Sequence, residues 1–137
     1  MPDQQNSLSH VVNYHVGPTA GHFHQDKRFV RLIVGPFGSG KTVACIMEII
    51  LKAQNQPAIN GVRQSRWLIV RNSYRELEDT TLKSWFQWIP RSLGDWKPSA
   101  MTHMVKYPLG DGTRVELEVL FRSMDQPDDI KKLLSLE

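Results

Sequence analysis

Eight consecutive residues, Gly35, Pro36, Phe37, Gly38, Ser39, Gly40, Lys41 and Thr42, have the types and the spacing G-x-x-x-x-G-K-[S/T] of a phosphate-binding loop. The chemistry this pattern supports is electrostatic capture of an anion. Gly35, Gly38 and Gly40 let the backbone turn and approach phosphate oxygens without a Cβ in the way, so consecutive N–H groups can point inward. Lys41 adds a positive charge for the β- and γ-phosphates, and the Thr42 hydroxyl is placed to ligate Mg2+. A helix beginning around Lys41 would bring its unpaired N–H groups and the positive end of its dipole to the same point. The predicted ligand is a nucleoside triphosphate, ATP, with Mg2+.

Such a loop needs a strand to deliver it and a helix to back it. The run from Phe29 to Val34, apolar except for Arg31, reads as that strand. Val43, Ile46, Met47, Ile50 and Leu51 recur at helical spacing and predict a helix from about Lys41 to Gln54. A chance glycine-rich turn with one lysine would not carry both flanks. Residues 1–28 are polar and hold four of the five histidines, His10, His15, His22 and His24. No cysteine or carboxylate stands at ligand spacing around them, so surface or hydrogen-bonding histidines are expected rather than a metal site. Because this segment runs into the loop strand, it can fold back toward the nucleotide base, where Phe23 offers a stacking ring and His24 and Gln25 polar edges.

Further along, Pro57 and Gly61 mark a loop, and Trp67 to Val70 is a continuous apolar run of the kind found in a strand buried on both faces of a parallel sheet. Strand, helix, loop and strand would make one right-handed crossover. Ser73 and Glu76 form a capping box opening a helix from about Tyr74 to Ile89, which Pro90 stops. Tyr74, Leu77, Thr81, Trp85 and Trp88 share one face, expected to be core. Trp85, Phe86, Trp88 and Trp96 beside Arg91 and Lys97 could alternatively present a stacking surface to nucleic acid. Two strands, 101–108 and 113–122, flank Gly110-Asp111-Gly112 as a hairpin, with Val115, Leu117, Val119 and Phe121 facing inward. Asp125 and Pro127 open a last helix through Ile130, Leu133 and Leu134. The expected fold is α/β of the P-loop NTPase kind, a mostly parallel sheet with an inserted antiparallel hairpin.

The 137 residues fit one domain, and a net charge of +3 suits a polyanionic partner without demanding one. The single cysteine, Cys45, excludes an intramolecular disulfide framework and is expected as a small core residue. There is no apolar run of membrane-spanning length and no signal-peptide pattern at the N-terminus, so no membrane partner is expected and the cytoplasm is the default compartment. Hydrolysis requires more than phosphate binding. An apolar strand ending in Asp, often followed by Glu, normally holds the Mg2+ shell and orients water. The run Trp67 to Val70 ends instead in Arg71-Asn72, and Val119 to Phe121 ends in Arg122-Ser123. Residues 29–137 are therefore expected to be the front part of an incomplete ATPase domain, the other reading being a nucleotide-binding module without its own acid.

GPFGSGKT preceded by FVRL, RWLIVRNSYRELEDTTLKSWFQWIP, and LEVLFRSMDQPDDIKKLLSLE resemble, in that order, the N-terminal ATPase portion of the large terminase subunit of tailed bacteriophages. The likeness runs from about Phe23 to Glu137. It implies an additional-strand, catalytic-glutamate P-loop ATPase, joined in the full subunit to a nuclease domain of the ribonuclease H type. It also implies ATP-driven translocation of double-stranded DNA into a prohead, partners in the portal and the small terminase subunit, a homo-oligomeric ring, and work in the bacterial host cytoplasm. The acidic strand would begin just beyond Leu136-Glu137. By position Gly35 to Thr42 would hold the phosphates and metal, with Lys41 and Arg122 the candidate catalytic groups. Arg71 and Arg75 also stand near strand ends, where an arginine acting across a ring interface would lie. For each arginine a solvated or salt-bridged role is the alternative. Competing readings are a helicase-like or kinase-like P-loop enzyme and a non-hydrolysing nucleotide-binding or scaffold module.

Overall fold

The computed structural model describes residues 12–125 and 127–135. His10 and the rest of the first eleven residues, Gln126, and Leu136-Glu137 lie outside the described residues. In chain order the elements are α1 (Pro18–Gln25), α2 (Lys41–Asn55), β1 (Val62–Arg71), α3 (Tyr74–Glu76), a π-helical segment Leu77–Leu82, α4 (Lys83–Trp88) and β2 (Asp95–Lys97). A 3-10 turn Pro98–Ala100, β3 (Thr102–Pro108), β4 (Arg114–Ser123) and α5 (Pro127–Leu134) follow.

The fold is mixed α/β around a four-stranded sheet of order β1-β4-β3-β2. The β3–β4 hairpin forms as expected, with Val105 opposite Leu117 and His103 opposite Val119. Along β4 the period of two places Val115, Leu117, Val119 and Phe121 in the core. Helix α2 covers them with Ile46, Met47, Ile49 and Ala53, and Leu77, Leu82 and Trp85 close the same core from the next helical stretch.

Trp85, at the centre, packs edge-on to Phe121 with ring centroids 5.6 Å apart, and its indole N–H donates to His103 Nδ1 at 2.9 Å. Phe86 and Trp96 pack edge-on at 4.9 Å beside the same imidazole. Trp85 is thus core, while Phe86, Trp88 and Trp96 are partly buried and pack against it, with Arg91 over the Phe86 ring at 4.4 Å. Ser73 caps its helix by accepting from the Glu76 N–H at 3.2 Å. The Thr80 hydroxyl donates to the Glu76 carbonyl at 2.6 Å, competing for an acceptor the helical ladder would use. The chain widens there into the π-helical segment, and Leu77, Thr81, Leu82 and Trp85 are all buried.

Several expectations are corrected. The sheet is not mostly parallel: β1 and β4 are parallel, whereas β4–β3 and β3–β2 are antiparallel. The expected strand Phe29 to Val34 joins no ladder, so the crossover reduces to α2 leading into β1. The segment does alternate: Arg31 and Ile33 turn inward, and Phe29, Val30, Leu32 and Val34 stand 77 to 103% exposed. Arg31, on the inward side, meets Glu48 and the carbonyls of Phe23 and Asp26.

Strand β1 is longer than Trp67 to Val70, and it lies at the sheet's edge with Leu68 and Val70 exposed rather than buried on both faces. An unbroken apolar run fits either position. Cys45 is exposed, since the buried stripe of α2 runs through Ala44, Ile46, Met47, Glu48 and Ile49. Two short elements went unforeseen. They are α1, started by Pro18, and β2, which follows Gly94 with its φ of 98°.

Candidate functional site

The loop has the local geometry its glycines allow. Gly38 and Gly40 adopt left-handed φ values of 75° and 82°, and the Ser39 N–H donates to the Pro36 carbonyl at 3.3 Å. Helix α2 starts directly behind, with Gly40 as its N-cap and the Ala44 N–H donating to the Gly40 carbonyl at 2.9 Å. No acidic side chain occupies its first turn, so nothing offsets the partial positive charge of its free N–H groups. The Lys41 ammonium folds back into the loop and donates to the carbonyls of Gly35 at 2.7 Å and Pro36 at 2.6 Å and to the Ser39 hydroxyl at 3.1 Å. Thr42 is exposed in the first turn, and Phe37 projects fully into solvent at the tip.

A Cβ at position 35 would come within 2.8 Å of Ser39 Oγ, so the serine hydroxyl would have to turn away. The Lys41 side chain folded into the loop, the acid-free first turn of α2 and the exposed Thr42 are adjacent along the chain.

Behind the loop lies a polar cluster that the motif does not announce. Glu48, on α2, is buried, and its Oε2 lies 2.6 Å from His24 Nδ1. His24 Nε2 meets the Tyr14 hydroxyl at 3.1 Å. Glu48 Oε1 lies 2.8 Å from Arg31 NH1 and 3.9 Å from Lys52 Nζ. The Arg31 contact is ionic rather than a hydrogen bond, because NH1 directs its two protons to the carbonyls of Phe23 at 2.8 Å and Asp26 at 3.2 Å. The same guanidinium lies 4.8 Å over the Phe23 ring. Burial alone would push the Glu48 carboxyl up. The His24 hydrogen bond and the Arg31 charge outweigh it and hold the group below the ordinary carboxylate value.

Two hollows flank this cluster. One, of about 440 Å3, is bounded by Tyr14, His15, Trp88, Ser39, Gly40 and Val43, so it opens beside the loop itself. The other, of about 500 Å3, lies between α1 and the segment 30–34 and includes Phe23. Phe23 and His24, the residues expected near a nucleotide base, lie beside these hollows. Phe23 sits under Arg31 at the second hollow, and both His24 ring nitrogens are engaged by Tyr14 and Glu48.

The three arginines differ as well. Arg122 NH1 donates to the carbonyls of Ala100 at 3.0 Å and Phe121 at 2.8 Å, and Arg75 pairs on the surface with Asp79 at 3.5 Å. The Arg71 Nε is buried without a hydrogen-bond partner among the described residues. No group of three or more His, Cys, Asp or Glu that could hold a metal occurs among the described residues. Likewise, no described helix is long and apolar enough to cross a membrane.

Comparison with known protein families, curated proteins and solved structures finds no match. Glu48 and Tyr14 went unnoticed in the sequence, and Arg31 was seen only as an interruption. The signal was there: a carboxylate between Met47 and Ile49 and an arginine within an apolar run are two opposite charges, each on a face that should have been apolar.

Proposed function

We propose that this chain binds Mg-ATP at Gly35 to Thr42, as the N-terminal ATPase portion of a viral or prophage DNA-packaging motor of the terminase large-subunit kind. The observation that carries the nucleotide reading is the closure of the loop. Left-handed Gly38 and Gly40 lead into α2, and the Lys41 ammonium lies inside the turn, held only by neutral oxygens. A phosphate offers that ammonium a charged acceptor in exchange for two carbonyls. In this reading the loop holds the phosphates, Lys41 the β- and γ-oxygens and Thr42 the Mg2+, in a P-loop NTPase fold. Double-stranded DNA, the portal, the small subunit, other copies in a ring and the host cytoplasm are what the terminase resemblance adds.

Calorimetry with Mg-ATP tests the binding. Lys41→Ala is expected to abolish it or weaken it by about 2 to 3 kcal/mol, the size of a lost charge-assisted contact. Equal affinity of variant and parent would end the nucleotide reading.

A second reading, a nucleotide-binding module that does not hydrolyse, is favoured by one observation. The buried carboxylate on the helix behind the loop, Glu48, is held by a His24 hydrogen bond and an Arg31 ion pair. The coding sequence past codon 137 separates the two readings. An in-frame apolar run ending in Asp-Glu or Asn-Glu favours the motor, and an immediate stop codon the module.

A further inference from the structure

Glu48 touches both arms of the structure around the loop. Through Arg31, which lies in the segment that enters the loop, it meets that segment, and the same guanidinium ties the segment to the Phe23 and Asp26 carbonyls at the end of α1. Through His24 it holds the Tyr14 hydroxyl, and Tyr14 packs edge-on to Trp88 at 6.1 Å to form a wall of the 440 Å3 hollow beside Ser39 and Gly40. Glu48 divides its two oxygens between an arginine on the loop side and a histidine on the hollow side.

We infer that Glu48 is a positioning residue that aligns the two ends of a bound nucleotide. Its Oε1 sets the loop for the phosphates through Arg31, and its Oε2 sets the Tyr14 and Trp88 wall for the nucleoside through His24. The inference rests on the reading of Gly35 to Thr42 as a phosphate loop. The hollow is of a size for a nucleoside, opens onto the loop at Ser39 and Gly40, and is walled by two aromatic rings. Preorganisation of this kind improves affinity by removing ordering costs at binding, so its loss appears in affinity even where the protein stays folded.

The test compares Mg-ATP with Mg-tripolyphosphate, which has phosphates and no nucleoside, by calorimetry on the full chain at a temperature where each variant is folded by circular dichroism. Glu48→Gln is expected to weaken both ligands, ATP the more, by about tenfold, the order of one charge-assisted hydrogen bond. Tyr14→Phe keeps the ring and removes the hydroxyl, and is expected to weaken ATP by about threefold while leaving tripolyphosphate unchanged. ATP affinity equal to the parent's in Tyr14→Phe, or losses identical for the two ligands in Glu48→Gln, would overturn the inference. If Glu48→Gln does not fold, Tyr14→Phe alone decides. A parent that binds neither ligand, or a Lys41→Ala variant that binds as the parent does, marks failure of the nucleotide reading instead.

Discussion

Lys41 and His103 show how much a single side chain's partners decide. The Lys41 ammonium is exposed and held by neutral oxygens, so it remains available to an anion. His103 is fully buried, accepts from Trp85 at Nδ1, and keeps its proton on the other nitrogen. Burial pushes its pKa down from the usual 6.5, against the opposing pull of the Leu93 and Arg91 carbonyls. The unfolded chain therefore binds this proton more readily than the native one. The stability contributed by a neutral His103 is complete above about pH 6.5 and declines as pH falls from there toward the depressed native value. Urea denaturation at pH 7.5 and 5.5 checks it. The parent is expected to lose more stability between the two than His103→Gln, whose amide oxygen can still accept from Trp85.

At the scale of elements, the junction before β2 leaves no room for a side chain. Gly94 has φ 98°, and a Cβ there would lie 1.8 Å from the Met104 carbonyl oxygen. Gly94→Ala is expected to cost at least about 2 kcal/mol, from left-handed strain plus displacement of β3, and thermal denaturation measures it. The segment before the loop makes the opposite case. Leu32 and Leu117 stand in apolar stretches that both read as strands, yet Leu32 is exposed and Leu117 is fully buried. Leu117→Ala is expected to cost about 2 to 5 kcal/mol and Leu32→Ser under about 0.5, by the same denaturation assay. Local pattern made the hairpin legible because Gly110 to Gly112 force a tight return and β3 and β4 then cover each other. It could not do so for Phe29 to Val34, because a strand also needs a neighbour to accept its hydrogen bonds.

Across the whole molecule, the charged groups behind the loop pair with one another. Among the described residues, Glu48 is the buried carboxylate of the loop helix, hydrogen-bonded to His24 through Oε2 and ion-paired with Arg31 through Oε1. Purified as 137 residues, the chain is expected to hydrolyse Mg-ATP negligibly, and a phosphate-release assay checks this. Magnesium-dependent turnover would mean that a carboxylate reaches the loop from elsewhere. The core that supports the loop is built from the hairpin, α2 and the Trp85 helix, elements far apart in sequence.

By itself the sequence determined what short-range chemistry determines. It defined the loop and the helix behind it, the capping box at Ser73, and the hairpin, each specified by residues within a few positions of one another. Only the tertiary structure decided what depends on partners distant along the chain. It made β1 an edge strand, packed Trp85, Phe86 and Trp96 around His103, kept 29–34 out of the sheet, and joined Tyr14, His24, Arg31 and Glu48 behind the loop. The reason is that a side chain's exposure and charge partners belong to the surface it meets, and no local spacing encodes which surface that will be.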